Sequence, residues 1–205
     1  MRDDLDGDVE SLSFLTSSLF GLAKRAGEDA VRSDRMTDVY MYGALKRALF
    51  IADGFQQMVE RRNLICAGAL LRLQLDTVLR VGALFLVKSP EDFARKVVEG
   101  RQVNNLKDAA GRTMTDRYLL DHAGTKHPWL SAIYDASSGF VHLSYKHLYS
   151  DQSPIAEERE DIVEVDLLSL DSASDGVLRQ AANSFARVSD LLEGYAKRWT
   201  RSGRT

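Results

Sequence analysis

The sequence predicts an all-α protein: a single-domain helical bundle of about six or seven helices, with a minor β element near 162–167. Three observations carry this prediction. Apolar residues recur at three- and four-residue steps over long stretches, the period of a helix face turned to a core. Only 3 prolines occur, Pro90, Pro128 and Pro154, so nothing breaks a helix in the first part of the chain. The run Leu64–Val87 is almost wholly apolar and reads as a central buried helix.

The first helix is expected over about Asp8–Ala30, with Leu12, Leu15, Leu19, Leu22, Ala23 and Ala26 as its stripe. Ser33-Asp34 offers caps for a second helix, which carries Val39, Tyr40, Tyr42, Leu45, Leu49, Ala52, Phe55 and Val59. That helix ends in Arg61-Arg62, cations suited to a helix C-terminus. Asn63 can cap the third helix, which extends to Val87. Ser89-Pro90-Glu91-Asp92 starts a short fourth helix that stops at Gly100.

Beyond it the pattern weakens. Helices are expected around Val103–Ala110 and Thr115–His122, separated by Gly111 and Gly124. Pro128 opens a further helix through Leu130, Ile133 and Tyr134, with Val141 as its far limit and Ser137-Ser138-Gly139 loosening its middle. Tyr149–Glu160 is polar and reads as loop. Val163, Val165 and Leu167 alternate with Glu164 and Asp166, the strand period, and would pair with Leu143–Tyr149 or a partner subunit. Ser172 or Ser174 caps a last helix with the stripe Leu178, Ala181, Phe185, Val188, Leu192, Tyr195 and Trp199. One domain spans 1–205, with a frayed N-terminus over about 1–7 and a basic tail over about 200–205.

Composition narrows the function classes. The chain has 205 residues, 44% hydrophobic and 28% charged, enough to bury a sizeable core. A net charge of -3 gives no global attraction to nucleic acid. The single cysteine, Cys66, excludes a disulfide framework and a cysteine-based zinc site, and reads as a small buried hydrophobe. The opening Met1-Arg2-Asp3-Asp4-Leu5-Asp6 is acidic and has no apolar core, unlike a signal peptide. Leu64–Val87 is long enough to span a bilayer, but Arg72, Gln74, Asp76 and Arg80 near its middle make that costly. No membrane role is expected, and a cytoplasmic location follows.

Those same residues are the leading candidate site. Arg72, Asp76 and Arg80 stand four apart, so an acid lies between two bases on one helix face. Ionised groups in an apolar helix need partners or a polar cleft. The stripe therefore serves either as an anion site, with Asp76 orienting the guanidiniums, or as an ion network tying this helix to its neighbours. Ser138 and His142 are also four apart, and His142 can contact an anion or move a proton near neutral pH. With Arg72, Asp76 and Arg80 they make a candidate ligand pocket. A covalent Ser–His mechanism lacks an orienting third group.

The other histidines, His122, His127 and His147, have no metal-ligand spacing, so neither a metal nor a cofactor is expected. Asn104, Asn105, Lys107 and Asp108 beside Arg101, and the basic C-terminal residues, read as solvated faces. No phosphate-cradling glycine loop is present.

Two stretches, "LLRLQLDTVLR" and "YDASSGFVHLS", resemble small bacterial helical domains of the HEPN type. The resemblance covers roughly Tyr40–Tyr149 and implies a helical bundle that binds nucleotide or RNA. Ribonucleases of that family carry an Arg followed four to six residues later by a His; here Arg117-Tyr-Leu-Leu-Asp-His122 matches. The residue after Arg117 is Tyr118, where the family usually has a polar one. The resemblance implies that Arg117 and His122 would meet their symmetry mates across a dimer and act on RNA phosphates.

The expectation is thus a HEPN-like protein binding an anionic ligand such as nucleotide or RNA. Two alternatives stand beside it: a non-enzymatic helical interaction module of a defence or toxin–antitoxin system, and a metal-independent ribonuclease. A homodimer is expected because Met41, Tyr42, Phe50 and Ile51 widen the apolar face of the second helix beyond one stripe.

Overall fold

The computed structural model describes residues 2–141 and 173–202. Among them are seven α-helices: α1 (Arg2–Arg32), α2 (Met36–Glu60), α3 (Leu64–Ala83), α4 (Pro90–Val98), α5 (Asp116–Gly124), α6 (Trp129–Ser138) and α7 (Asp175–Ser202). The all-α prediction holds. The expected β element at 162–167, its proposed partner strand and His142 lie outside the described residues.

Short turns make α1, α2 and α3 run antiparallel in succession. Tyr40 of α2 meets Arg80 of α3, and Arg47 meets Thr77 one bundle layer away. α7 then lies parallel to α3 and to α1: Gln74 meets Ser189, Gly82 meets Tyr195, and Ser18 of α1 meets Glu193. The core is one cluster that draws on all four long helices. Phe55 of α2 stacks on Phe185 of α7 with ring centroids 4.0 Å apart, and both are fully buried. Leu19, Met41, Leu75 and Leu192 are buried in the same cluster. Each such side chain contributes about 1.5–3 kcal/mol by leaving water.

Local signals set several helix ends as expected. Asn63 accepts the Cys66 N–H at 3.0 Å and starts α3. Ser89 accepts the Asp92 N–H at 3.2 Å, with Pro90 as the first residue of α4. Thr115 caps α5 through the Tyr118 N–H, also at 3.2 Å. Gly100 leaves α4 with φ +94, a left-handed turn that favours glycine.

Other ends differ, and tertiary contacts explain them. α2 is capped neither by Ser33 nor by Asp34. Its N-terminal N–H groups, on Met36 and Thr37, donate to the Glu91 carboxylate of α4 at 2.6 and 3.2 Å. Ser33 is occupied elsewhere: its hydroxyl donates to Asp38, which also accepts from Arg35. α3 stops at Ala83 rather than Val87, because Leu84, Phe85 and Leu86 tighten into turns bonded three residues back.

No helix forms over 103–110. A single 3₁₀ turn, Val103–Asn105, gives way to a loop in which the Asp108 carboxylate accepts from the Ala110 and Arg112 N–H groups. Gly111 turns the chain at φ +83, and Lys107 bridges Thr113 in antiparallel fashion. Asp108 thus offers the backbone an alternative to helix.

α6 ends at Ser138, and Phe140 then packs onto Gly68 of α3, where any β-carbon would collide with its ring. The helical backbone of α1 begins at Arg2 rather than near Asp8, and α7 runs through Ser202. Trp199 is buried close to the end of α7.

Two side-chain expectations are corrected. Cys66 is exposed, because the buried stripe of α3 runs through Ala67, Leu71, Leu75 and Val78 and leaves position 66 to one side. On α2, Met41 and Ile51 are buried in the chain's own core and Tyr42 packs against it; only Phe50, 65% exposed, faces outward.

Candidate functional site

The face of α3 carrying Arg72, Asp76 and Arg80 points toward α5 and α6, away from the four-helix core. Arg80 donates to the Asp76 carboxylate one turn back and, at 3.1 Å, to Asp116 at the start of α5. Arg72 lies 4.0 Å from Asp76 and 3.8 Å from Asp116. Its guanidinium stands over the Tyr134 ring of α6, 4.2 Å from the centroid. Arg47 of α2 closes the far side: it donates to Thr77 at 3.0 Å and lies 3.9 Å from Asp76. Three guanidiniums therefore share two carboxylates.

The network is partly withdrawn from water. The Arg72 side chain is 13% exposed and that of Asp76 20%. Burial pushes the Asp76 carboxyl up; Arg80 pulls it down, Asp116 pushes it up again, and the balance lies above the ordinary aspartate value. Burial also raises the Tyr40 hydroxyl, which donates to the Arg80 carbonyl at 2.8 Å.

Arg72 differs from its neighbours. It is held by ring contact and by ion pairs at the outer limit of such distances, and it makes no direct hydrogen bond among the described residues. A guanidinium has five N–H donors in a fixed fork that suits carboxylate or phosphate.

The structure brings Arg72, Asp76 and Arg80 together as expected. Ser138 stands one turn beyond Tyr134 on α6, its hydroxyl donating to the Tyr134 carbonyl at 2.7 Å. Its relation to His142 cannot enter the geometry, since His142 lies outside the described residues. Arg117 and His122 sit apart from this face, both exposed on α5. Arg117 pairs with Asp121 at 3.0 Å. Five residues on a helix place two side chains about 140° apart around the axis, so these two share no face.

Sequence reasoning missed Arg47, Asp116 and Tyr134. The acid at the start of α5 was legible as a helix-start residue, but nothing local tied it to α3.

Among the described residues, no group of three His, Cys, Asp or Glu side chains is placed to hold a metal, and no helix is long and apolar enough to cross a membrane. Two cavities, of about 160 and 490 Å³, are lined by residues outside the α3 network. No protein-family model, curated protein or solved structure matches this chain.

Proposed function

We propose that the α3 face binds an oxyanion, such as the phosphate of a nucleotide or of RNA, with Arg72 and Arg80 as the contacts and Asp76 holding their orientation. One observation carries this reading: three guanidiniums face two carboxylates, with Arg72 making no direct hydrogen bond among the described residues. Asp116 supports it further, because an oxyanion from α5 is already accommodated beside both arginines. A HEPN-like assignment belongs to the same proposal, as do Ser138 and His142 as further ligand contacts.

Calorimetric titration with nucleoside monophosphates and a short single-stranded RNA tests it. Removing a charged donor from a phosphate contact predicts about tenfold or greater loss of affinity in Arg72→Met, and the binding should weaken with salt. Equal affinity in Arg72→Met and the unaltered chain overturns the reading.

A second reading, a helical interaction module, draws on the exposed aromatics Phe14, Phe20 and Phe50. A homodimer would appear as a doubled mass in solution. The ribonuclease alternative predicts metal-independent RNA cleavage that His122→Ala abolishes. The separate placement of Arg117 and His122 means that such an activity would have to be completed across two chains.

A further inference from the structure

The C-terminal turns of α1 and α7 meet the first turn of α2 at one pole of the bundle. Between them lies the cavity of about 160 Å³, whose lining includes Asp29, Arg32, Arg35, Asp38 and Trp199. At about 30 Å³ per water molecule this is room for roughly five waters, or one compact solute.

The four charged side chains sum to zero, but they are not equally engaged. Asp38, fully buried, accepts from Arg35 at 2.8 and 3.1 Å and from Ser33. Arg35 and Asp38 are thus already bonded to each other. Asp29, half-buried, and Arg32, exposed, stand three apart on α1, a spacing that lets opposite charges meet. They do not meet. Among the described residues, neither side chain forms an ion pair within 4.0 Å or a hydrogen bond.

The setting gives each a preferred counter-group. Two helix C-termini converge here, and their last carbonyls and dipole ends favour a cation beside Asp29. Arg32 favours a carboxylate. Trp199, 7% exposed, adds an aromatic side chain to the lining. A simple carboxylate would leave Asp29 with only the more distant charge of Arg35, and a simple amine would leave Arg32 without a direct partner among the described residues.

We propose that this cavity binds a small zwitterion of the α-amino acid class, its ammonium at Asp29 and its carboxylate at Arg32. The site is separate from the α3 network and does not depend on the oxyanion reading.

Free amino acids, at millimolar concentration, are the probes. The chain has 2 tryptophans, so Trp129→Phe leaves Trp199 as the sole indole reporter. At least one amino acid should change Trp199 emission saturably and raise the thermal midpoint of the unaltered chain. Its N-acetyl and decarboxylated analogues should bind about tenfold more weakly or worse, because a site built for both charges rejects a ligand lacking one. Asp29→Asn and Arg32→Met should each weaken binding about tenfold, with unchanged far-UV circular dichroism. Absence of a saturable response to every amino acid overturns the proposal. So does equal binding of the N-acetyl or decarboxylated form to the unaltered chain, a comparison that needs no variant to fold.

Discussion

The guanidinium of Arg72 stands 4.2 Å from the centroid of the Tyr134 ring, while its nearest carboxylate oxygen, on Asp116, is 3.8 Å away. The arginine is therefore positioned mainly by an aromatic face from α6 and only loosely by charge. Such an arrangement fixes a cation's direction while leaving its donors free.

Asp116 is the partner most open to replacement. It reaches the network from α5, it is more exposed than Asp76, and it touches both arginines. Asp116→Asn should lower stability by only about 0.5 kcal/mol, as for a partly solvated ion pair. If an oxyanion competes with Asp116 for Arg72 and Arg80, the same substitution should tighten phosphate binding severalfold. Urea unfolding and calorimetric titration on one preparation would check both, and weaker binding in Asp116→Asn would contradict the competition.

Glu91 caps α2 from a different helix, so its loss should be felt between elements. Burial pushes the Glu91 carboxyl up, but hydrogen bonds from the Met36 and Thr37 N–H groups, from the Thr37 hydroxyl, and the nearby Arg95 outweigh it and hold it below the usual glutamate value. A depressed carboxyl stabilises the fold above its unfolded value, and the benefit is lost as pH falls through the folded one. Glu91→Ala should cost about 1–2 kcal/mol at neutral pH. The deficit should shrink toward acid pH in a series of urea melts.

Gln74 and Ser189 form a fully buried hydrogen bond of 3.0 Å between α3 and α7, and Gln74 Oε1 has no partner among the described residues. The pair is asymmetric. Ser189→Ala strands the Gln74 amide further and should cost about 1–3 kcal/mol. Gln74→Met removes the orphan oxygen along with the bond, though it leaves the Ser189 hydroxyl without its donor, so its loss should be smaller than that of Ser189→Ala. Denaturant midpoints of the two variants test the order; a larger loss in Gln74→Met would contradict it.

The 108–118 loop should respond to pH at both extremes. The Tyr118 hydroxyl donates to Asp108 at 2.6 Å and, with the Arg112 N–H, holds that carboxyl down at about 2. Asp108 in turn raises Tyr118 above its ordinary 10.0. The acid contributes stability above its unfolded value near 3.8, lost as pH falls toward about 2. The tyrosine contributes below pH 10, and that share is lost as pH rises through its folded value. Tyr118→Phe should blunt both limbs of the stability curve, and unchanged limbs would remove the pair from the account.

Elements governed by neighbouring residues were legible in the chain. Asn63, Ser89-Pro90 and Thr115 start helices by bonding within one turn, so spacing alone located them. The Leu178–Trp199 stripe was legible because burial on one face imposes a period. What escaped was set by distant partners. Glu91 takes over the start of α2, and Asp108 diverts a weak helix into a turn. Half of the candidate network was visible because Arg72, Asp76 and Arg80 share one helix. Arg47, Asp116 and Tyr134 join from three other helices, and no local pattern records that meeting.

The same-direction alignment of α3 and α7 bears on how the protein is made. Gln74 and Ser189 are 115 positions apart, so α7 reaches its seat on α3 only after the residues between them have been made. Until then the Phe55 ring lacks its Phe185 cover. The nascent chain must carry an uncovered oily groove until α7 has been made, and closure of a loop this long slows docking relative to an up-and-down bundle. Stop codons ahead of α7 should therefore yield a sticky, chaperone-dependent product rather than a smaller stable domain.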